Sequence, residues 1–135
     1  MATFGKEERL KKQKDIESLF KNGNVLGDKS IRLVFAISDK NSLQYPLKIG
    51  FSVSKRNYKK AVDRNRIKRL MREAYRKSKS STNRLLVDYK LNYILIFIFI
   101  SKEKHSFRVI EEKIKTLLIR FERIIIKGNK NNNVE

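Results

Sequence analysis

The stretch AVDRNRIKRLMREAYRK, residues 61–77, decides the fold. Ile67, Leu70, Met71, Ala74 and Tyr75 recur at i, i+3, i+4, i+7 and i+8, the spacing of one apolar stripe on an α-helix. Such a helix must lay its stripe on something, and the flanking sequence supplies it. Upstream, Leu47, Ile49, Phe51 and Val53 alternate with Lys48, Gly50 and Ser52, the period of a strand. Downstream, residues 93–100 read YILIFIFI, a short run of β-branched and aromatic residues suited to a strand buried on both faces. The passage 47–100 is therefore predicted as a strand–helix–strand crossover in one sheet, which general rules make right-handed.

Residues 9–21 predict a helix, with Leu10, Ile16, Leu19 and Phe20 toward one side and Lys11, Lys12, Lys14 and Lys21 around them; Asn22-Gly23-Asn24 stops it. Residues 31–37 alternate again, with Ile31, Leu33, Phe35 and Ile37 on one face and Arg32, Val34 and Ala36 on the other. This strand is close enough in sequence to 47–53 to pair with it as an antiparallel hairpin across the polar connection 38–46. Residues 78–83 read as a polar loop, and 84–92 are ambiguous. Residues 107–126 predict a second amphipathic helix, with Phe107, Ile110, Ile114, Leu117, Leu118, Phe121, Ile124 and Ile125 as its stripe and Gly128 as its end.

The expected architecture is a single α+β domain over residues 1–135, with 1–8 and 128–135 as loose tails. Its order is α-β-β-α-β-α, with one strand open to being split, in a sandwich of a small mixed sheet with helices. No internal repeat is visible. A chain of 135 residues with 40% hydrophobic content can bury one core. The absence of Cys excludes disulfides and Cys-based zinc sites and fits a reducing cytoplasm. The N-terminus carries no apolar segment of signal-peptide type, and an eight-residue apolar run is far short of the ~20 residues of a spanning helix. No membrane partner is expected.

Thirty-three Lys and Arg against fourteen Asp and Glu give a net charge of +19. Residues 55–79 alone hold twelve basic side chains against Asp63 and Glu73, more than half of that excess. Arg64, Lys68 and Arg72 are spaced by four in one row; Asn65, Arg69, Arg72 and Arg76 line a neighbouring one. The apolar stripe holds the helix on the core, so these rows face outward. A basic face can be an ordinary solvated surface. Here like charges one turn apart repel, and a polyanion is what compensates them. Arg forks grip phosphate oxygens or stack on bases, and the Asn65 amide can read a base edge, brace an Arg or bond locally to backbone.

The string Ser52-Val53-Ser54-Lys55, followed by the run from Lys60 to Ala74 with Arg64-Asn65-Arg66 at its heart, resembles the signature of the bacterial ribonuclease P protein family. The resemblance extends to Arg9-Leu10-Lys11 and to Phe20-Lys21-Asn22-Gly23, and the element order agrees over nearly the whole chain. It implies a protein subunit that assists a catalytic RNA in endonucleolytic removal of the 5′ leader of precursor tRNA. Mg²⁺ is then expected at the RNA active site, with none bound by the protein. The implied protein is cytoplasmic and monomeric, with one copy per RNA and a left-handed strand–helix–strand crossover. By position, Arg64, Asn65, Arg66, Lys68, Arg69 and Arg72 become candidates for the catalytic-RNA interface. Lys12, Ile16, Phe20, Ser52, Ser54 and Lys55 become candidates for the leader cleft. For Ile16 and Phe20 the competing reading is core packing. Two departures stand out: Ile16 replaces a frequent aromatic, and the linker Arg56-Asn57-Tyr58-Lys59-Lys60 lacks the glycine common before Ala-Val. Tyr58 either stacks on a base or covers the helix end.

Chemistry by protein side chains has little to stand on. His105 is the only His and reads as bland surface; Glu111-Glu112 are adjacent on a helix and do not face each other. There is no Gly-rich phosphate loop and no triad. No catalytic residue is assigned. A structural RNA-binding protein of ribosomal type is the second reading, and its composition would be the same.

Overall fold

A computed structural model describes residues 8–38 and 45–132. The elements are α1 (Gln13–Asn22), β1 (Asn24–Gly27), β2 (Ile31–Ile37), β3 (Leu47–Val53), α2 (Ala61–Tyr89), β4 (Tyr93–Phe99) and α3 (Phe107–Asn132). The α+β class and the three helices are as expected. The strand β1 is an addition. Only Leu26 of its four residues packs on the core, so its apolar content left little to read. It forms because Gly27 takes φ 137° and the Asp28 carboxylate accepts from the amides of Ser30 (2.7 Å) and Ile31 (3.1 Å), closing a tight turn into β2.

The four strands lie in the order β1-β2-β4-β3. The expected hairpin between 31–37 and 47–53 does not exist. β4 inserts between them, antiparallel to β2 from Ile31↔Phe99 to Ile37↔Tyr93 and parallel to β3 from Leu47↔Tyr93 to Val53↔Phe99. Burial explains the choice. Ile94, Leu95, Ile96, Phe97 and Phe99 are all buried, and only a central strand covered on both faces can hide residues of both parities. β3 and β4 are parallel, so the chain passes from one to the other through α2 in one sheet, the connection predicted.

Each face of the sheet has its own core. On one, α2 and α3 cover Leu33, Phe35, Ile49, Leu95, Phe97 and Phe99 with Ile67, Met71, Tyr75, Ile114 and Phe121 among others. On the other, Leu19 of α1 seats on Val34, Ile94 and Ile96, with Leu10 beside them. The result is three layers. The C-terminal end of α1 comes so close to β2 that a Cβ on Gly23 would lie 2.9 Å from the Val34 side chain. Each buried aliphatic side chain contributes roughly 1.5–3 kcal/mol.

Three sequence boundaries move. Residues 78–83 are not a loop, because α2 runs on to Tyr89. Lys79, Thr82 and Leu86 are buried and continue the stripe of Met71, Ala74 and Tyr75; polar residues occupy two of its positions. Thr82 donates to Glu122 of α3 (2.8 Å), and tertiary contact overrides the weak helix propensity of the Ser/Thr/Asn run. Helix α3 passes through Gly128 to Asn132, since an interior glycine costs only about 1 kcal/mol. Ile124 is 41% exposed and leaves the stripe. Residues 9–12 are not helical; Arg9 instead bridges Ile49 in parallel, at the free edge of β3. Glu8, read as part of a loose tail, is buried.

Candidate nucleic-acid interface

At about 100° per residue, the α2 stripe divides the six interface candidates into three sets. Asn65, Arg69 and Arg72 lie directly opposite the core. Arg64 and Lys68 fall on the flank toward β3, and Arg66 falls on the flank toward α3. Asn65, Arg66, Arg69 and Arg72 are exposed, and Arg64 and Lys68 half-buried. The outward ridge ends at Arg76, which grips Glu73 in a fork, Nη2 to Oε1 at 2.6 Å and Nε to Oε2 at 3.0 Å. That fork holds the Glu73 carboxyl below its usual range. Arg66, Lys68, Arg69 and Arg72 have no acidic partner among the described residues.

Arg64 is built in. Its Nη1 donates to the carbonyls of both Tyr58 and Lys59 at 2.8 Å, bracing the linker that enters α2. The rest of that linker is tied down as well. Ser54 Oγ accepts from the Asn57 amide (3.3 Å), and the Asn57 side chain donates to the Ile100 carbonyl (2.8 Å). Tyr58 is buried with its ring 5.9 Å from that of Phe99. It is packing material at the helix start, not a free stacking surface. Lys55 and Arg56 remain exposed.

Helix α1 divides its face of the sheet into two troughs. On one side Lys12, Lys14, Asp15 and Ser18 look across to Ile37, Ser38 and Ile94. Ile16 and Phe20 lie on the other flank of the helix, toward the end of the sheet where Arg32, Ile98 and Ser52 align in one cross-strand row. Arg32 and Ser52, two strands apart, are separated by roughly 10 Å. Phe20 is 56% exposed, so core packing does not account for it. Ile16 is half-buried. The six leader-cleft candidates are thus split: Ile16, Phe20 and Ser52 lie on the same side of α1, Ser54 and Lys55 follow at the end of β3, and Lys12 lines the opposite side. Sequence reasoning missed Arg32. The signal was present, an Arg among Val34 and Ala36 on the second face of the strand, but that face gained meaning only once α1 lay across it.

His105 is neither exposed nor isolated. It packs edge-on to Phe99 at 5.7 Å, and its Nε2 lies 3.2 Å from Ser30 Oγ. Among the described residues no three His, Asp or Glu side chains group as a metal site, and no helix is long and apolar enough to cross a membrane.

Fold and surface together define a small α+β protein whose cations gather most densely on one helix. The family model for ribonuclease P matches residues 4–122. A ribonuclease P protein component from Porphyromonas gingivalis is 35% identical over 121 residues, covering 88% of each chain. One from Clostridioides difficile is 32% identical over 120 residues, covering 87% of this chain and 94% of that one. The solved ribonuclease P protein from Thermotoga maritima is similar at 25% identity with a TM-score of 0.64, covering 84% of this chain and 96% of that one. The chain belongs to the ribonuclease P protein family, the protein subunits of an endoribonuclease. The ribosomal-type alternative is set aside by this match.

Proposed function

We propose that this subunit binds the catalytic RNA through the outward and β3-side cations of α2 and receives the single-stranded 5′ leader of precursor tRNA in the trough beside α1. The observation that carries the reading is the set Lys68, Arg69 and Arg72, which lie together on the outward and β3-side faces of α2 with no acidic partner among the described residues. Such a set favours a polyphosphate, with affinity falling steeply as rising salt makes counterion release less favourable. In the trough, Phe20 offers a stacking surface and Arg32 and Lys55 supply charge, the combination that suits unstacked nucleotides. Ser52 and Ser54 add hydroxyls along the path. The proposed complex holds one protein per RNA in the cytoplasm, with Mg²⁺ at the RNA active site supplying the hydrolytic chemistry.

The test is cleavage of a precursor tRNA by a bacterial ribonuclease P RNA at low Mg²⁺, with and without the protein, and with the protein alone. Correct 5′ cleavage that requires the RNA and is stimulated by the protein is expected. Equal affinity of the assembled enzyme for precursor and mature tRNA would remove the leader trough from the reading.

A further inference from the structure

We propose that the buried Glu8–Lys79 ion pair clamps residues 8–11 to the free edge of β3, so that Arg9 and Lys11 join Lys68 and Arg72 in a phosphate-binding groove for the catalytic RNA. The proposal rests on α2 being the RNA-facing helix and adds to it residues from outside that helix.

Strand β3 is an edge of the sheet. Residues 9 and 10 cover it with few ladder contacts: the Arg9–Ile49 bridge and the Leu10 amide donating to the Ile49 carbonyl at 2.9 Å. So short a strand would fray if nothing else held it. Immediately before it, the Glu8 carboxylate meets Lys79 Nζ at 2.5 Å, with the two residues only 8% and 7% exposed. A buried pair holds hard because removing one partner strands the other charge. Lys79 sits on the part of α2 whose polar sequence hid its helical course.

The clamped strap brings four cations together. Arg9, Lys11, Lys68 and Arg72 surround a groove of about 300 Å³ with Gly50 at its side. Gathering four like charges in one groove is unfavourable by itself. The buried carboxylate holds the strap against that repulsion, and a bound anion relieves it. Two guanidinium forks and two ammonium groups suit phosphate oxygens of a nucleic-acid backbone.

The experiment uses the full chain and ribonuclease P RNA. Affinity is measured across a salt series, and hydrogen exchange is followed at the Leu10 amide. Glu8→Gln and Lys79→Met should release that amide and lower the salt slope by about 1–2, the loss of one or two phosphate contacts. The exchanged pair, Glu8→Lys with Lys79→Glu, should restore both. Arg9→Ala with Lys11→Ala should lower the slope to the same extent while the Leu10 amide stays protected, a test that leaves the clamp and the fold intact. An unchanged slope in that double variant overturns the groove. A slope that also survives Arg69→Ala would instead overturn α2 as the RNA-facing helix.

Discussion

A single nitrogen of Arg64 is held by the carbonyls of Tyr58 and Lys59, both at 2.8 Å. Neighbouring cations of one helix therefore have different duties. Arg64→Ala should destabilise the protein by roughly 1.5–3 kcal/mol, the range for hydrogen bonds to a charged group, as well as weakening RNA binding. Arg69→Ala, fully outward, should leave stability within about 0.5 kcal/mol and lower the salt slope by about 1. Denaturant melts paired with RNA titrations separate the two. Equal stability losses would mean that the linker does not depend on Arg64.

Phe20→Ala should reduce affinity for leader-bearing precursor while sparing mature tRNA. The ring is more than half exposed, so the melting temperature should scarcely move. Loss of a base-stacking platform costs about 1–3 kcal/mol per base. Competition binding with the two RNAs reads this directly, and an equal loss for both would take Phe20 out of the trough.

Lys90 ends α2 in the left-handed region, φ 56° and ψ 44°, with the Leu91 amide closing back on the Leu86 carbonyl at 2.9 Å. A non-glycine residue there costs roughly 1–2 kcal/mol. Lys90→Gly should recover about 1 kcal/mol after allowing for glycine's greater freedom in the unfolded chain. A raised denaturation midpoint with unchanged RNA affinity is the expected result; a lowered midpoint would show that the lysine stem contributes more than its backbone costs.

Asp28 is held at a pKa of about 2, chiefly by its hydrogen bond from Lys113, reinforced by the Ser30 and Ile31 amides. The folded value lies below the ordinary carboxylate value, so the stabilisation is fully present above about pH 4 and lost as pH falls toward 2. Asp28 is about half exposed in this pair, which keeps the gain small. The stability gap between the wild type and Asp28→Asn should be widest above pH 4 and close toward pH 2. A gap independent of pH would assign the effect to the turn's geometry rather than to charge.

The sequence made the central helix legible because its apolar stripe was long and its cations dense. It made β4 legible because both of its faces were apolar. It failed where polar side chains stood in buried positions. Lys79 and Thr82 look like loop residues until Glu8 and Glu122 are seen to meet them. The pairing of β2 was misread because proximity in sequence favours hairpins, whereas burial of β4 demands the centre. Of the residues proposed to face RNA, those on α2 followed from periodicity. Arg9, Lys11 and Arg32 did not, because their neighbours come from distant parts of the chain. The split of Lys12 from Ile16 and Phe20 likewise depends on where α1 crosses the sheet.

The central place of β4 also sets an order of events during synthesis. β2 and β3 leave the ribosome first but have no hydrogen bonds to each other, and both wait for residues 93–99. Until then α2 is already made, its cations exposed and its apolar stripe without a finished sheet to lie on. Such non-local pairing is slow and leaves unpaired strands open to aggregation. A nascent chain halted before Tyr93 would therefore be a sticky polycation rather than a partial domain, and the commitment to fold belongs to the last third of translation.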